Sequence, residues 1–263
     1  METDSLFSRT ELMLGPETMR RLAATRVALF GTGGVGSWCA EALVRTGVGR
    51  LMLVDSDRVA PSNVNRQLMA TTQTIGEPKV DVLAERLRAI NPRVELDVRR
   101  AVYEEATAAS FRLEEFDYVI DAIDSLAEKA ALIRHALSIP SVTLFASMGA
   151  ALKMDPALVR TGRFGKVEGD GLARALRTKF RKTGGLPARD FLCVWSPERR
   201  ENRGAPAAEA PAAPGERDWN ARKARINGTV AHMTALFGLT LASLVVRDVE
   251  NKCTANDHET KKN

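Results

Sequence analysis

The stretch Gly31-Thr32-Gly33-Gly34-Val35-Gly36 decides how the first half of this chain folds. It follows the apolar run 27–30 and opens a segment of helical character at 35–45. A glycine turn between a strand and a helix gathers unpaired backbone N–H groups at the positive end of the helix, and such a place binds phosphate. The stretch therefore predicts a nucleotide site lined by Gly31, Gly33, Gly34 and Gly36.

An acidic residue stands where folds of this kind contact a ribose. Asp55 follows the apolar run 51–54 and lies about twenty residues after the last glycine, as expected of a carboxylate that accepts hydrogen bonds from ribose hydroxyls. Asp57 is a second carboxylate at the same place. These features indicate a nucleotide, but on their own they do not separate NAD from ATP.

Strand and helix patterns alternate along the first part of the chain. Apolar runs typical of buried strands recur at 27–30, 51–54, 94–98, 118–120 and 142–145. Helical patterns separate most of them, such as the repeat of Val80, Leu83 and Leu87 that ends at Asn91-Pro92. The alternation predicts an α/β fold that is Rossmann-like and doubly wound, with a mostly parallel sheet. The glycine turn then lies at the carboxyl edge of that sheet, where ligands bind.

The pattern changes after about residue 149. We therefore expect an ATP-binding core over 1–159 and a basic substrate-binding segment over 160–250. That segment contains a helical pattern at 169–182, an Ala- and Pro-rich stretch at 197–218 that predicts a mobile loop, and an apolar run at 230–246 that predicts a final buried helix. The polar tail at 251–263 is expected to be disordered.

Composition narrows the class of protein. The chain has 263 residues, of which 44% are apolar, and it carries three cysteines without a C-x-x-C pair and three histidines. We therefore expect neither a disulfide framework nor a zinc site, and Cys193 is only a weak candidate for a reactive thiol. No apolar run approaches the roughly 20 residues that span a bilayer, which predicts a cytoplasmic protein without a membrane partner.

Positive charge is concentrated in the second half of the chain. The net charge is +5, and residues 160–225 carry 16 Lys and Arg against 8 Asp and Glu. Such an excess suits a polyanionic partner, although solvated helix faces and a flexible loop would also account for it. The candidates for nucleic-acid contacts share one predicted helix: Arg174, Arg177, Lys179, Arg181 and Lys182.

Three further side chains favour ATP over NAD. A triphosphate carries about two more charges than a dinucleotide pyrophosphate, and these call for Arg, Lys or a metal ion. Arg66 and Lys79 are candidates, and Asp124 follows a strand end where a carboxylate can hold Mg²⁺ against phosphates. Each has a structural alternative: a solvated loop arginine, a solvated lysine at a helix start, and an aspartate that helps Ser125 to cap a helix.

These clusters, in this order, resemble the adenylyltransferase family that includes the ubiquitin-activating enzymes and the bacterial enzymes of molybdopterin and thiamine biosynthesis. The resemblance covers residues 7–148. Its motifs are Gly-x-Gly-Gly-x-Gly at 31–36, Asp55-Ser56-Asp57, Asn65-Arg66-Gln67, Gly76-Glu77-Pro78-Lys79 and Asp121-Ala122-Ile123-Asp124. It implies ATP and Mg²⁺ as cofactors.

The resemblance also implies roles for individual residues. Gly34 and Asp55 would contact the adenosine ribose and phosphate, and Asp124 would position Mg²⁺. The triphosphate would be held by Ser62, Asn63, Arg66 and Lys79. We place further nucleotide contacts at Asp57, Gln67 and Ser125. The segment Phe7-Ser8-Arg9-Thr10-Glu11 resembles the family segment whose arginine enters the partner subunit's ATP site, so Arg9 is expected to act catalytically across a homodimer, beside Arg66, Lys79 and Asp124.

Within the family, the chain looks most like the branch that cyclises N6-threonylcarbamoyladenosine in tRNA. The supporting motifs are Tyr118-Val119-Ile120-Asp121, Lys129-Ala130-Ala131-Leu132 and Cys193-Val194-Trp195-Ser196. The resemblance implies ATP-dependent activation of the threonyl carboxylate and a tRNA anticodon stem-loop as partner. Two alternatives remain open. The first is adenylation of the C-terminal glycine of a ubiquitin-like sulfur carrier, with that carrier or a cysteine desulfurase as partner; the second is an RNA-binding module without catalysis.

Overall fold

The computed structural model describes residues 6–204 and 227–260, with side chains to residue 254. Its strands are β1 (Arg26–Phe30), β2 (Arg50–Val54), β3 (Glu95–Arg99), β4 (Tyr118–Asp121), β5 (Thr143–Ser147), β6 (Arg160–Arg163) and β7 (Leu192–Trp195). They form one sheet in the order β3-β2-β1-β4-β5-β7-β6. Among these strands only β6 runs antiparallel to its neighbour. The predicted mostly parallel sheet is confirmed.

Helices cover both faces of the sheet. They are α1 (Ser8–Ala24), α2 (Gly36–Thr46), α3 (Lys79–Ile90), α4 (Leu126–Ser138), α5 (Gly171–Lys182) and α6 (Ala231–Thr260). Alternate residues of a strand point to opposite faces, so Leu29 of β1 packs in the core that contains α2, α3 and α6, while Ala28 packs in the core that contains α4 and α5. Helices on both faces of a mostly parallel sheet make the predicted Rossmann-like fold.

Residues 160–204 belong to the same sheet as the first half of the chain. They contribute β6 and β7, which the sequence pattern did not predict, and α5, which it did. Strand β7 pairs with β5 and so extends the carboxyl edge of the sheet beyond β4. Of the loop expected at 197–218, residues 197–204 form neither helix nor strand, and residues 205–226 lie outside the described part of the chain.

The final helix is longer than the sequence predicts. Helix α6 continues to Thr260, so the expectation of a disordered tail from residue 251 is wrong as far as residue 260, and residues 261–263 are not described. Val249 and Cys253 are both buried and lie four residues apart, on one side of the helix. That apolar side continues the helix into a segment whose composition is otherwise polar.

Helix α6 also changes one expectation about membranes. By length and composition alone, residues 231–254 could cross a bilayer, although no apolar run of that length was expected. Within the most apolar 18-residue window of this segment, half of the residues are buried inside the protein. Gly238 allows α6 to pack closely against α2. A Cβ at this position would lie only 2.3 Å from the carbonyl oxygen of Val35, which immediately precedes α2. In this fold α6 is a core helix packed against α2.

Candidate nucleotide site at the carboxyl edge of the sheet

The glycine turn has the close backbone contacts that only glycine permits. Gly31 follows β1 with φ of +85°, and a Cβ there would lie 2.7 Å from the carbonyl oxygen of Ala122. At Gly36 a Cβ would lie 1.8 Å from the carbonyl oxygen of Gly31. The turn therefore leads directly into the N-terminus of α2 while lying against the loop that follows β4.

Asp55 holds the glycine turn in place. Its Oδ2 accepts hydrogen bonds from the Thr32 backbone N–H at 2.7 Å and from the Thr32 hydroxyl at 3.0 Å, and its Oδ1 accepts one from the Asp57 N–H at 2.9 Å. Oδ2 thereby uses both of its lone pairs, whereas Oδ1 has a second lone pair that can accept a further hydrogen bond. Asp55, which is predicted to bind the ribose, thus also anchors the glycine turn. The sequence did not indicate this second role.

Lys79 lies inside the site rather than in solvent. Only 5% of the residue is exposed, and its Nζ is 2.6 Å from Oδ2 of Asp57. Burial by itself lowers the pKa of the Lys79 ammonium, but nearby carboxylates more than offset this effect and raise the pKa above its usual value. Those carboxylates belong to Asp55, Asp57 and Asp124. The solvated alternative for Lys79 is wrong, and a fixed positive charge lies beside the strand-end carboxylates.

Two residues of α2 bring Arg66 and Gln67 to the glycine turn. The Trp38 indole N–H donates to the carbonyl of Arg66 at 3.2 Å, and the Ser37 hydroxyl both donates to the carbonyl of Gly33 at 2.7 Å and accepts from the Leu68 N–H at 3.2 Å. The segment that carries Arg66 and Gln67 is therefore attached to the first turn of α2.

Arg66 extends along a short 3-10 turn, Pro61–Asn63, at this place. Its guanidinium donates to the carbonyl of Ser62 at 2.7 Å and to Oδ1 of Asn65 at 2.9 Å. Asn63 shapes the turn, since its Oδ1 accepts from the Ala60 N–H at 3.0 Å. Burial lowers the pKa of Arg66, and the carboxylate of Asp124 opposes this change, so the two charges face the same space.

Gln67 offers a buried amide next to the glycine turn. The residue is 6% exposed, and within the described residues its Oε1 has no hydrogen-bond partner. Its Nε2 would lie 3.7 Å from a Cβ at Gly33. A buried polar atom without a partner is rare in native proteins and calls for an explanation, and a ligand seated on the glycine turn would supply one.

Asp124 and Ser125 differ in what they present to the site. Asp124 is exposed, between the end of β4 and the start of α4, and acts electrostatically on both Lys79 and Arg66. An exposed carboxylate beside two cations is a candidate ligand for Mg²⁺, which takes one or two carboxylates plus phosphate oxygens. The Ser125 hydroxyl instead donates to Oε2 of Glu128 at 2.5 Å, within its own helix start.

One buried pair in the site was not among the predicted residues. Asp121 at the end of β4 and Lys129 in the first turn of α4 are both 0% exposed, with Nζ 2.8 Å from Oδ2. Burial raises the pKa of Asp121, and the ammonium of Lys129 opposes that rise. A lysine on the buried side of α4, eight positions after a strand-end aspartate, is the sequence signal that could have found it.

The basic helix α5 presents fewer free charges than expected. One of the five candidates, Arg177, has partners within the protein. Its guanidinium donates to the carbonyls of Phe164 at 2.8 Å and Val167 at 2.5 Å and lies 5.0 Å from the centre of the Phe164 ring. The four other residues predicted to contact nucleic acid are exposed or half-buried: Arg174, Lys179, Arg181 and Lys182.

The cysteines do not present thiols to this site. Cys39, Cys193 and Cys253 are all buried, and burial raises the pKa of the Cys193 thiol to about 12. A thiol with so high a pKa is almost wholly protonated near neutral pH and is therefore a poor nucleophile. Within the described residues no three His, Cys, Asp or Glu side chains cluster as metal ligands would.

The segment that contains Arg9 begins at the end of α2 that is remote from the glycine turn of its own chain. The Phe7 ring lies 3.9 Å from where a Cβ of Gly47 would be, and Gly47 follows the last residue of α2. The glycine turn is at the other end of that 11-residue helix, roughly 16 Å away at 1.5 Å per residue. Leu12 and Met13, on the same first part of α1, are 88% and 84% exposed.

Comparison with known proteins identifies the family of this chain. Residues 7–262 match the model of the ThiF family. The chain belongs to the ThiF family. This ThiF-family chain is 45% identical to a tRNA threonylcarbamoyladenosine dehydratase of Bacillus subtilis over 178 residues, which are 68% of this chain and 70% of that protein. The predicted resemblance is therefore confirmed down to its branch.

Solved structures extend the likeness over nearly the whole ThiF-family chain. The structure of E. coli tRNA N6-threonylcarbamoyladenosine dehydratase in complex with ATP is similar with a TM-score of 0.81 and 31% identity, over 95% of this chain and 96% of that one. A sulfur carrier protein adenylyltransferase of Thermus thermophilus is 39% identical, but over only 43% of this chain and 41% of that protein.

Proposed function

We propose that this protein uses ATP to cyclise N6-threonylcarbamoyladenosine in tRNA, with the loss of the elements of water. The observation that carries the proposal is the match, over 95% of the chain, to a dehydratase solved with ATP. The site's own geometry supports it, because the glycine turn, Lys79, Arg66 and Asp124 meet at one sheet edge.

The proposed chemistry begins with the threonyl carboxylate. A carboxylate is a poor electrophile, and transfer of AMP to one of its oxygens turns that oxygen into a leaving group while pyrophosphate departs. The carbamoyl group of the same side chain then attacks the acyl carbon, AMP leaves, and a ring closes. Neither step needs a protein nucleophile, which agrees with the burial of all three cysteines.

The cations of the site have a defined task in that proposal. Negative charge develops on the α-phosphate and on the departing pyrophosphate, and fixed positive charges nearby stabilise it. Lys79 is held for this by Asp57, and Arg66 by the carbonyl of Ser62. Asp124 would hold Mg²⁺, which when bound neutralises phosphate charge. Gln67 would direct its unpaired amide oxygen at a hydroxyl or N–H of the nucleotide.

A tRNA substrate gives the exposed cations of α5 a use. Phosphate neutralisation supplies most of the affinity of proteins for nucleic acids. We assign this role to Arg174, Lys179, Arg181 and Lys182 and not to Arg177, whose guanidinium is occupied within the protein.

A homodimer would complete the proposed site. Phe7, two residues before Arg9, packs at the end of α2 that is remote from its own glycine turn, which supports a role for Arg9 in the site of a second copy. Leu12 and Met13, exposed beside it, would be covered in that dimer. Large apolar side chains exposed side by side are more often found at interfaces than on free surfaces.

The test is a nucleoside mass measurement. Purified protein is incubated with ATP, Mg²⁺ and threonylcarbamoyl-modified tRNA, the RNA is digested, and the modified nucleoside is weighed. We expect release of AMP and a nucleoside lighter by one water. An unchanged nucleoside mass, with protein that is folded and binds ATP, would refute the proposal.

The second candidate function is adenylation of a sulfur carrier's C-terminal glycine. The likeness of the ATP-binding part to a sulfur carrier protein adenylyltransferase favours it. The distinguishing measurement is ATP–pyrophosphate exchange. Exchange that requires a carrier protein and ignores tRNA selects this function, whereas exchange that requires modified tRNA selects the first.

A further inference from the structure

A buried ion pair lies directly under the turn that carries Asp124. Asp121 ends β4, Lys129 belongs to the first turn of α4, and both side chains are 0% exposed. Two charges taken out of water attract each other strongly, but their desolvation offsets much of that gain. A pair of apolar side chains would fill the same space, so stability alone does not account for the charges.

Hydrogen bonds join this pair to both backbone polar groups of one residue, Ile123. The backbone N–H of Ile123 donates to Oδ1 of Asp121 at 3.1 Å, and Nζ of Lys129 donates to the carbonyl oxygen of Ile123 at 3.0 Å. Apolar side chains could make neither bond. Because Ile123 immediately precedes Asp124, its orientation sets the direction in which the Asp124 side chain leaves the turn.

The other end of the turn is held by the sheet. The N–H of Ala122 donates to the carbonyl of Phe30 at 2.9 Å, and the carbonyl of Ala122 lies against Gly31. Residues 122–124 are therefore fixed to the glycine turn on one side and to the ion pair on the other. Neither charge of the pair reaches the surface, so neither touches a ligand directly.

We propose that the Asp121–Lys129 ion pair positions Asp124 for ATP and its Mg²⁺. Lys129 is a positioning residue, since it acts through the backbone of Ile123. The proposal rests on the ATP site of the proposed function and is independent of the molecule that receives the AMP.

A double-mutant cycle on ATP binding tests this coupling. Calorimetry with ATP and Mg²⁺, in the absence of tRNA, gives the affinity of the full-length protein, its Lys129→Met variant, its Asp124→Ala variant and the double variant. We expect Lys129→Met to weaken binding about tenfold when Asp124 is present and to have no further effect when Asp124 is absent, because coupled residues are not additive. Lys129→Arg should restore most of the affinity.

A general loss of structure predicts a different result. It would lower ATP affinity by the same factor in both backgrounds, and that outcome would overturn the proposal, as would unchanged affinity in folded Lys129→Met. If Lys129→Met does not fold, the double change Asp121→Leu and Lys129→Met replaces it, because an apolar pair removes both bonds to Ile123 and leaves no unpaired buried charge.

The matched control breaks an ion pair at the opposite end of β4. Arg26 at the start of β1 lies 3.0 Å from Asp117, which precedes β4. Arg26→Met should lower the melting temperature and leave ATP affinity unchanged. Since no tRNA is present in these measurements, failure of the protein to cyclise a tRNA nucleoside would refute the proposed function without affecting this result.

Discussion

At the scale of single residues, the site depends on charges fixed before a ligand arrives. Lys79 is held by Asp57 at 2.6 Å. Lys79→Met should weaken ATP binding by about tenfold to a hundredfold, because a hydrogen bond to a charged group contributes about 1.5–3 kcal/mol and about 1.4 kcal/mol corresponds to a factor of ten. Calorimetric titration with ATP measures the change.

A variant in the same helix controls for effects on stability. Arg86 pairs with Glu41 at 2.5 Å, between α3 and α2. Arg86→Met should change the melting temperature and leave ATP affinity unchanged. Equal losses in the two variants would mean that Lys79 supports the fold and not the nucleotide.

At the scale of elements, the cations of α5 are of two kinds: some are hydrogen-bonded within the protein, and others are exposed and can contact a partner. Arg177 faces the protein, whereas Arg181 and Lys182 are exposed in the last turn. The double change Arg181→Glu and Lys182→Glu should weaken tRNA binding and reduce the dependence of log affinity on log salt by about two, since each phosphate contact contributes about 0.9 to that slope. Filter binding across a salt series measures both quantities.

The control reverses the same number of exposed charges elsewhere. Arg88 and Arg93 are exposed at the end of α3 and in the loop that follows it, at the amino edge of the sheet. Reversing both charges should leave the salt dependence of tRNA binding unchanged. If the two double variants lose tRNA affinity equally, binding follows net charge alone and α5 is not the contact surface.

At the scale of the whole molecule, the catalytic role proposed for Arg9 depends on a second copy. Mixing an Arg9→Ala chain with an Asp124→Ala chain should restore about a quarter of the activity, because half of randomly mixed dimers are heterodimers and each has one intact site of two. Turnover of the mixture, compared with that of either variant alone, measures it. Activity that stays at the level of the single variants after subunit exchange would place Arg9 in the site of its own chain, or outside catalysis.

Short-range sequence patterns predicted most of the strands between residues 26 and 147. Apolar runs of strand length, a glycine turn and a helical repeat are short-range signals, and β1, β2, β4, β5 and α3 lie where they predict. Strand β7, Leu192–Trp195, was missed because a short apolar run does not by itself distinguish a strand from a segment of buried helix. Strand β6, Arg160-Thr161-Gly162-Arg163, was missed because it has no apolar pattern. Such a strand exists because β7 offers it a hydrogen-bonding edge.

Taken alone, the sequence determined the strand–turn–helix unit at Gly31 to Gly36, the parallel sheet and the set of polar residues at its carboxyl edge, because these depend on neighbouring residues. Tertiary structure decided which charges are free. It placed Arg177 against a phenylalanine ring, buried Asp121 with Lys129, attached Asp55 to the glycine turn and continued α6 through a polar tail. These contacts join residues that are far apart in the chain, so local sequence patterns do not reveal them. Because an unpaired buried charge costs much free energy, each buried charged residue needs its particular partner.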